Sequence, residues 1–265
     1  MADRIKVSIC IPAYKQFFTL KRCLDSIASQ NYTDYEVIIS DDSPNNDIQN
    51  LVDTYQNLPV IYHKNTKALG SPENWNHAIR LASGEYIKIM HHDDWFASSA
   101  SLQQFVELLD KHPEVSFGFS ACKDMGVNQI ISRHPNVFEL KSLRKNPDIL
   151  ALGNLIGAPS VTIFRNHSDI FFDKQLIWLV DIEFYIRFLR KYPGFAYTSA
   201  DLINIGLSEN QITNQCKDDK ELIQKEKDYL SQKLNLQDGT FYPGYHHLKN
   251  VFIPEIKKKV KRIWK

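Results

Sequence analysis

The stretch YIKIMHHDDWF, residues 86–96, places two imidazoles and two carboxylates directly after a short apolar run. Adjacent carboxylates repel each other and resist burial, so Asp93 and Asp94 at the end of a core strand need a cation, a proton or solvent beside them. His91 and His92 immediately precede them. The stretch alone is compatible with a metal site, with a proton-transfer site, and with a strand end whose charges face water.

Carboxylates that could act in catalysis or in ligand binding occur at two further places in the sequence, the Asp41–Asp42 pair and Asp181. Asp41 and Asp42 follow the strand-like run YEVIIS, and alone they are also consistent with a helix cap near SPNND. Asp181 lies within the apolar segment WLVDIEFYIRFL, where a carboxylate is costly unless it is paired or functional. Glu183 and Arg187 are spaced i, i+4 and predict a structural ion pair, which leaves Asp181 to face a crevice. The alternative for Asp181 is a helix-end carboxylate in contact with solvent.

The elements that must position these groups alternate between strand and helix over residues 1–120. The strand-like runs are KVSICIPAY, YEVIISDDS, VIYHKN, EYIKIM and VSFGFSAC, and helical periodicity marks LKRCLDSIASQ, SPENWNHAIRLASG and SLQQFVELLDKHP. This alternation predicts an α/β fold that is Rossmann-like and doubly wound, with a mostly parallel sheet. Ligands bind at the carboxyl ends of strands in such sheets, so three polar strand ends would converge on one crevice: Pro12 to Tyr14, Asp41 with Asp42, and His91 to Asp94.

The second half of the chain has a less regular pattern. Residues 140–157 look helical, and APSVTIFR at 158–165 is strand-like. Residues 176–193 are predicted to form a helix that contains Asp181, and residues 217–234 a charged surface helix. No internal repeat or Gly/Ser linker divides the chain, which predicts one domain with a specialised, irregular C-terminal portion.

Composition excludes several classes of protein. The 265 residues are 43% hydrophobic and 24% charged, as in a soluble globular protein, and a net charge of +1 argues against a dedicated nucleic-acid binder. The scattered cysteines (Cys10, Cys23, Cys122 and Cys216) form no C-x-x-C pair and favour a reducing cytoplasm. Neither a signal peptide nor a membrane-spanning run of residues is recognisable.

In their order along the chain, these segments resemble the family 2 glycosyltransferases, which are inverting enzymes with an A-type nucleotide-diphospho-sugar transferase fold. The likeness is carried by residues 7–43, by LGSPENWNHAIRLASGEYIKIMHHDDW and by DIEFYIRFL, and it covers about residues 5–210. It implies transfer of a hexose from a nucleotide-diphospho-sugar, by default UDP-linked, to a saccharide hydroxyl in bacterial surface polysaccharide synthesis (O-antigen, capsule or lipopolysaccharide). dTDP-rhamnose is the alternative donor, and a lipid-linked saccharide is one form of the acceptor that the resemblance implies.

The resemblance also implies roles for individual residues. Asp93 occupies the retained third position of the family's D-x-D motif and would bind Mn²⁺ or Mg²⁺, whereas His91 replaces the first carboxylate and would favour manganese. Asp181 would be the catalytic general base. The nucleotide-sugar site would comprise Pro12, Ala13, Tyr14, Asp41, Asp42, Asn76, His92 and Asp93. The acceptor side would include Gly157, Ser160 and Asp94, and residues 209–213 would close over the phosphates.

With these roles, the predicted catalytic domain spans 1–215, with a nucleotide-sugar half at about 1–120 and an acceptor half at about 121–215. Three rival interpretations stay open. A sugar-nucleotide pyrophosphorylase would need a glycine-rich loop after the first strand, and PAYKQFF has no glycine. A phospho-accepting regulatory domain would leave Asp93 and Asp94 unexplained. A non-catalytic nucleotide-sugar-binding module would bind the donor without turnover.

The C-terminal segment 216–265 is predicted to hold helices and a basic amphipathic tail. IPEIKKKVKRIWK at 253–265 has a helical pattern that would suit an anionic membrane surface, at the cytoplasmic face of the inner membrane. A solvated tail and a tail that docks on a partner are the alternatives. The sequence does not indicate an oligomeric state.

Overall fold

The structure is a computed structural model, and it describes residues 5–126, 129–167, 169–207, 216 and 218–236. Within these residues the elements are, in chain order, β1 (Val7–Ala13), α1 (Phe17–Ala28), β2 (Tyr35–Asp41), α2 (Asp47–Val52), β3 (Val60–Lys64), α3 (Glu73–Leu81), β4 (Tyr86–Ile89), β5 (Trp95–Phe96), α4 (Ser101–Asp110), β6 (Phe117–Met125), β7 (Ile130–Arg133), α5 (Val137–Lys145), β8 (Thr162–Arg165), α6 (Val180–Lys191), β9 (Ala196–Gly206) and α7 (Lys220–Leu234). Short 3₁₀ helices cover Pro147–Leu152 and Pro159–Val161.

One sheet runs through the described residues, in the order β3-β2-β1-β4-β8-β6-β9-β5, with β7 on the edge of β6. Strands β1 to β4 pair in parallel, as do β6 and β9, whereas β8 is antiparallel to both of its neighbours. Every residue of β1 and β2 is buried. Because buried parallel strands are covered by helices on both faces, their apolar runs are nearly continuous. The predicted α/β class is confirmed.

The first half of the chain follows its sequence pattern closely. Helix α1 buries Leu20, Cys23, Leu24 and Ile27 against the sheet, which is the face that the periodicity predicts. All five predicted strands of residues 1–120 are present as β1, β2, β3, β4 and β6. The ends of β1, β2 and β4 consequently lie side by side, because these strands are adjacent and parallel.

Two predictions for the second half are wrong in their bounds. Residues 140–157 do not form one helix, because Pro147 cannot continue α5 and the chain restarts as a 3₁₀ helix. Helix α6 begins at Val180 instead of 176, which places Asp181 in its first turn. The sequence pattern also gave no indication of β9, whose pairing with β6 shifts register after Ser120.

The four cysteines are buried free thiols, as their scattered spacing predicts. Among the described residues no helix has both the length and the apolar character that crossing a bilayer requires. Residues 209–213 and 253–265, to which the sequence assigns a phosphate-closing segment and a membrane-binding tail, lie outside the described residues.

Candidate functional site

A cavity of about 820 Å³ lies at the carboxyl ends of the central strands. One wall comes from the residues that follow β1 and β2, the floor from the residues that follow β4, and the opposite wall from the segment that precedes α6. The predicted residues that line it are Pro12, Ala13, Tyr14, Asp42, His92, Asp93, Asp94 and Asp181, together with His91. The sequence therefore identified groups from both halves of the chain that the fold places around one cavity.

Asp42 has a structural contact besides its place on the cavity wall. Its Oδ2 accepts a hydrogen bond from the backbone N–H of Gly70 at 2.8 Å, and its Oδ1 accepts from the Leu69 N–H at 3.0 Å and from Asn65 Nδ2 at 2.8 Å. Gly70 has φ of 73°, a conformation that favours glycine. Asp42 consequently fixes the loop over this end of the cavity while presenting a carboxylate to it.

Asp41 and Asn76, both predicted to bind the nucleotide-sugar, do not line the cavity. Asp41 is the last residue of β2 and points to the opposite face from Asp42, where its Oδ2 accepts hydrogen bonds from Tyr62 and Lys64. The side chain of Asn76 is 2% exposed and exchanges two hydrogen bonds with the backbone of Phe172, each of 2.8 Å. Both residues support the fold around the site, and their direct contact with a nucleotide-sugar stays a prediction.

The residues after β4 form a cluster that fits a divalent cation. His91, Asp93 and Asp94 each offer a ligand atom, and these atoms lie within 4.8 Å of one another. His91 Nε2 is buried and has no hydrogen-bond partner among the described residues. Burial and the charge of Asp93 raise the pKa of Asp94, whereas burial lowers the pKa of His91. Two adjacent carboxylates beside a neutral imidazole are a donor set that Mn²⁺ accepts.

Neighbouring elements hold this cluster in place. The hydroxyl of Ser160 accepts a hydrogen bond from the His91 N–H at 2.9 Å and also bonds Asp94, and the Gly206 N–H donates to Asp94 Oδ1 at 3.1 Å. A Cβ added at Gly206 would overlap the carbonyl oxygen of Asp93, so this residue must remain a glycine. Below the cluster lies Lys88, fully buried, with its Nζ bonded to the Ile89 and Ser160 carbonyls; burial lowers its pKa to about 7.

Arg22 supports Asp93 from the outer side of the cluster. Its guanidinium lies 3.6 Å from the centroid of the Trp95 ring and donates to the Asp93 carbonyl oxygen at 3.1 Å. A planar guanidinium stacked on an indole loses little further freedom when it forms such a hydrogen bond. The backbone of Asp93 is consequently fixed from two sides, by Arg22 and by Gly206.

Asp181 faces the cavity from the first turn of α6. Its Oδ2 accepts a hydrogen bond from Asn154 Nδ2 at 2.7 Å, and its Oδ1 accepts from the Ile182 N–H at 2.8 Å. Burial raises the pKa of Asp181 to about 7, although both hydrogen bonds act to lower it. A carboxylate whose pKa lies near neutrality, at a cavity wall, is suited to exchange a proton with a bound hydroxyl. The predicted Glu183–Arg187 ion pair is confirmed at 2.7 Å.

Gly157 and Ser160, assigned to the acceptor side, lie behind the cavity wall that Ala158 and Pro159 form. The Gly157 carbonyl accepts hydrogen bonds from Tyr185 Oη and from Asn154 Nδ2, both at 3.1 Å. Gly157 has φ of 110°, so its glycine identity is required by the backbone. Both residues therefore support this wall from behind, and Asp94 is the one of the three that lines the cavity itself.

Three lining or supporting residues escaped sequence analysis. Asn154 reaches Asp181 from 27 positions away along the chain. Trp75 packs against His91, with ring centroids 4.6 Å apart and an interplanar angle of 49°, and Trp178 lies on the wall that carries Asp181. Tryptophans in helical or apolar segments are most often core residues, so their exposure to the cavity could not be read from the local pattern.

Comparison with known families identifies the class of protein. The model for "Glycosyl transferase family 2" matches residues 8–172, which is more than half of the chain, and the chain therefore belongs to this family. The matched range includes Asp42 and the His91–Asp94 cluster, whereas Asp181 lies beyond it.

Among individual relatives, protein MT1568 of Mycobacterium tuberculosis is 26% identical over 198 residues, which cover 69% of this chain and 61% of that protein. The Escherichia coli UDP-Glc:alpha-D-GlcNAc-diphosphoundecaprenol beta-1,3-glucosyltransferase WfaP is 28% identical over 134 residues, or 49% of this chain and 53% of that enzyme. The chain thus spans less than two thirds of the length of either relative.

Solved structures share the fold. The Staphylococcus aureus TarS 1-349 complex with UDP-GlcNAc superposes with a TM-score of 0.63 at 19% identity, covering 78% of this chain and 60% of that one. The mannosyltransferase PcManGT from Pyrobaculum calidifontis, solved with GDP-Man and Mn²⁺, gives a TM-score of 0.57 at 17% identity, covering 79% of this chain and 59% of that one. The predicted glycosyltransferase A-type fold is confirmed.

Proposed function

We propose that this chain is an inverting glycosyltransferase that moves a hexose from a UDP-linked donor to a hydroxyl of a saccharide acceptor. The observation that supports this most is the single cavity that Asp42, Asp93 and Asp181 share. Its volume of about 820 Å³ is in the range of pockets that enclose small ligands. Family membership and the UDP-GlcNAc complex of the TarS fold relative agree with a nucleotide-sugar ligand.

In this proposal one wall of the cavity binds the nucleotide and the opposite wall carries the general base. Tyr14 and Asp42 bind the nucleotide, with the ring of Tyr14 beside the base and the Asp42 carboxylate accepting from its N–H. Asp181 accepts the proton of the acceptor hydroxyl as that oxygen bonds to the anomeric carbon, and the bond from this carbon to the diphosphate oxygen breaks in the same step. A single displacement inverts the configuration and needs no covalent enzyme intermediate.

Asp93 and His91 would hold a divalent cation, either Mn²⁺ or Mg²⁺. A cation there would stabilise the negative charge of the departing diphosphate as a Lewis acid. The unpartnered Nε2 of His91 and the raised pKa of Asp94 are the features of this chain that support a bound cation. His92 lines the same floor and would lie close to the sugar phosphates.

Two relatives support the biological setting that we propose. WfaP acts on a diphosphoundecaprenol-linked sugar by its name, and a Campylobacter jejuni relative, 30% identical over 99 residues, is a GalNAc(5)-diNAcBac-PP-undecaprenol beta-1,3-glucosyltransferase. We therefore propose a lipid-linked saccharide acceptor and a role in bacterial surface polysaccharide synthesis, at the cytoplasmic face of the inner membrane. Contact of residues 253–265 with anionic lipid stays a prediction.

Nucleotide binding is the experiment that tests this function. We expect UDP to bind in calorimetry, more tightly with Mn²⁺ than without it. Asp42→Ala should weaken UDP binding by about 10-fold to 100-fold with or without metal, because a hydrogen bond to a charged group and the anchor of the 65–70 loop are lost together. Asp47→Ala removes an exposed acid at the start of α2 and is the matched control. If UDP, GDP and dTDP all failed to bind, the donor-site assignment would be wrong.

Metal preference is a second test, and it uses the position at which this chain departs from the family pattern. Because imidazole nitrogen suits Mn²⁺ better than Mg²⁺, the wild-type protein should bind Mn²⁺ with UDP more tightly than Mg²⁺ with UDP. His91→Asp should reduce the ratio of the Mn²⁺-supported to the Mg²⁺-supported UDP affinity by about 10-fold. The UDP affinity without metal should be unchanged. Electron paramagnetic resonance of bound Mn²⁺ reads the nitrogen ligand directly. Identical metal preferences in the two proteins would exclude His91 as a ligand.

A further inference from the structure

The segment that precedes α6, the helix that carries Asp181, is held by a buried carboxylate from α7. Glu226, in the middle of α7, is 3% exposed. Its Oε1 accepts the N–H of Ile177 at 2.6 Å, and its Oε2 accepts the N–H groups of Trp178 at 3.0 Å and Leu179 at 2.9 Å. Three backbone donors on one carboxylate make an anion site that the protein fills with its own side chain.

These three N–H groups belong to the residues directly before α6. Leu179, at the N-terminus of this helix, has no side-chain cap of its own, and its N–H is one of the three that the Glu226 carboxylate accepts. The carboxylate therefore holds the non-helical bend at residues 177–179 from a distant part of the chain, and Trp178 lies in this bend on the cavity wall.

Other contacts fix α7 in this position. Tyr229 Oη donates to Asp173 Oδ2 at 2.7 Å, and Lys233 bonds both Asp173 at 2.5 Å and Glu183 at 2.9 Å. Glu183 in turn pairs with Arg187 within α6. The helix α7 is therefore joined to the two ends of the segment 173–183, which contains Trp178 and Asp181.

We propose that Glu226 is a positioning residue for the acceptor site: it holds Trp178 as the platform for the acceptor sugar and Asp181 at the reacting hydroxyl. This inference rests on the proposed function. The residues that Glu226 holds, and those that follow them at the start of α6, line the cavity: Ile177, Trp178, Val180 and Asp181. An indole face beside a carboxylate is a surface that binds the apolar C–H face of a pyranose while the carboxylate binds a hydroxyl. The acceptor is accordingly a saccharide whose ring lies against Trp178.

The test compares Glu226→Gln with Glu221→Gln, an exposed residue on the same helix. Glutamine keeps the size of the side chain, but its NH₂ group is a donor and would face a backbone N–H. The remaining oxygen cannot accept all three hydrogen bonds. Hydrogen exchange of residues 177–179 should accelerate at least 10-fold in Glu226→Gln and stay unchanged in Glu221→Gln. Unchanged exchange in both variants would overturn the role of Glu226 in holding this bend, whether or not the protein is a glycosyltransferase.

Kinetics then separate positioning from simple stability. Nucleotide-sugar hydrolysis without acceptor is compared with transfer to a panel of p-nitrophenyl hexosides, below the melting temperature of each variant. Glu226→Gln should lower kcat/KM for the hexoside about 10-fold to 100-fold, through KM because Trp178 shifts and through kcat because Asp181 shifts, since displacement by about 1 Å has effects of this size. UDP affinity should stay within twofold. Equal losses in UDP affinity and transfer would indicate general destabilisation and refute the proposal. Absence of any turnover by the wild-type protein would instead count against the proposed function.

Discussion

Asp181→Asn is expected to lower the rate of sugar transfer by about 10²-fold to 10⁴-fold, because the amide keeps the shape of the side chain but cannot accept the proton. Affinity for UDP and for the metal should change little, since Asp181 lies on the wall opposite to the nucleotide groups. Transfer at saturating donor, measured with UDP binding on the same preparations, checks both statements.

The pH dependence of the wild-type rate provides a second measurement. Burial raises the pKa of Asp181 to about 7, and only the ionised carboxylate can act as the base. The rate should therefore rise about 10-fold per pH unit below pH 7 and level off above it, and Asp181→Asn should lose this dependence.

Stability should change in the opposite direction to activity. An unfolded Asp has a pKa of about 3.9, so the folded state, with its raised pKa, binds this proton more tightly than the unfolded state does. The contribution of Asp181 to stability is consequently lost as the pH rises from about 4 to about 7. Asp181→Asn should melt at a higher temperature than the wild type at pH 8, and the two should converge below pH 4.

Glu183→Gln is the matched control on the same helix. Glu183 is fully buried and pairs with Arg187 and Lys233, so its loss leaves two cations without their partner and lowers stability. Its carboxylate does not line the cavity, and the chemical step should be retained in the folded fraction. A folded but inactive Glu183→Gln, beside a fully active Asp181→Asn, would show that Glu183 is the base.

Asp93→Ala is expected to abolish both the metal-stimulated part of the transfer rate and the increase in UDP affinity that Mn²⁺ gives. The reason is that the side-chain oxygens of Asp93 accept no hydrogen bond from the described residues and are available to a cation, whereas Asp94 is hydrogen-bonded by Ser160 and Gly206. UDP titrations with Mn²⁺ and with EDTA measure the effect. Asp25→Ala, an exposed acid on α1, serves as the control. Full turnover by EDTA-treated wild-type protein would remove the cation from the mechanism.

Sequence analysis identified most residues of the proposed donor side because each follows a recognisable strand. Asp42, Asp93 and the residues after β1 come directly after apolar runs, and parallel strands bring their ends together. The alternation of side chains along β2 also separates Asp41 from Asp42, so the pattern already indicates that the two carboxylates point to opposite faces.

The acceptor side depends on contacts that no local pattern contains. Asn154 reaches Asp181, and Glu226 reaches Trp178, over 27 and 48 positions respectively. The bend before α6 could not be predicted for the same reason, because the group that holds it is a carboxylate on α7. Glu226 itself looked like one more charge on a solvated helix, and only the fold shows that it is buried.

Two glycines, Gly70 on the cavity wall and Gly206 beside the Asp93–Asp94 cluster, restrict sequence variation in different ways. Position 206 is closed to every side chain, because any Cβ there meets the Asp93 carbonyl, so natural variants at this position should be purged even though Gly206 does no chemistry. Position 70 has open space around its Cα but a φ of 73°, so its constraint is conformational. Asn and Asp adopt that backbone more readily than other residues, and an evolving lineage could therefore exchange Gly70 for them while Gly206 stays fixed.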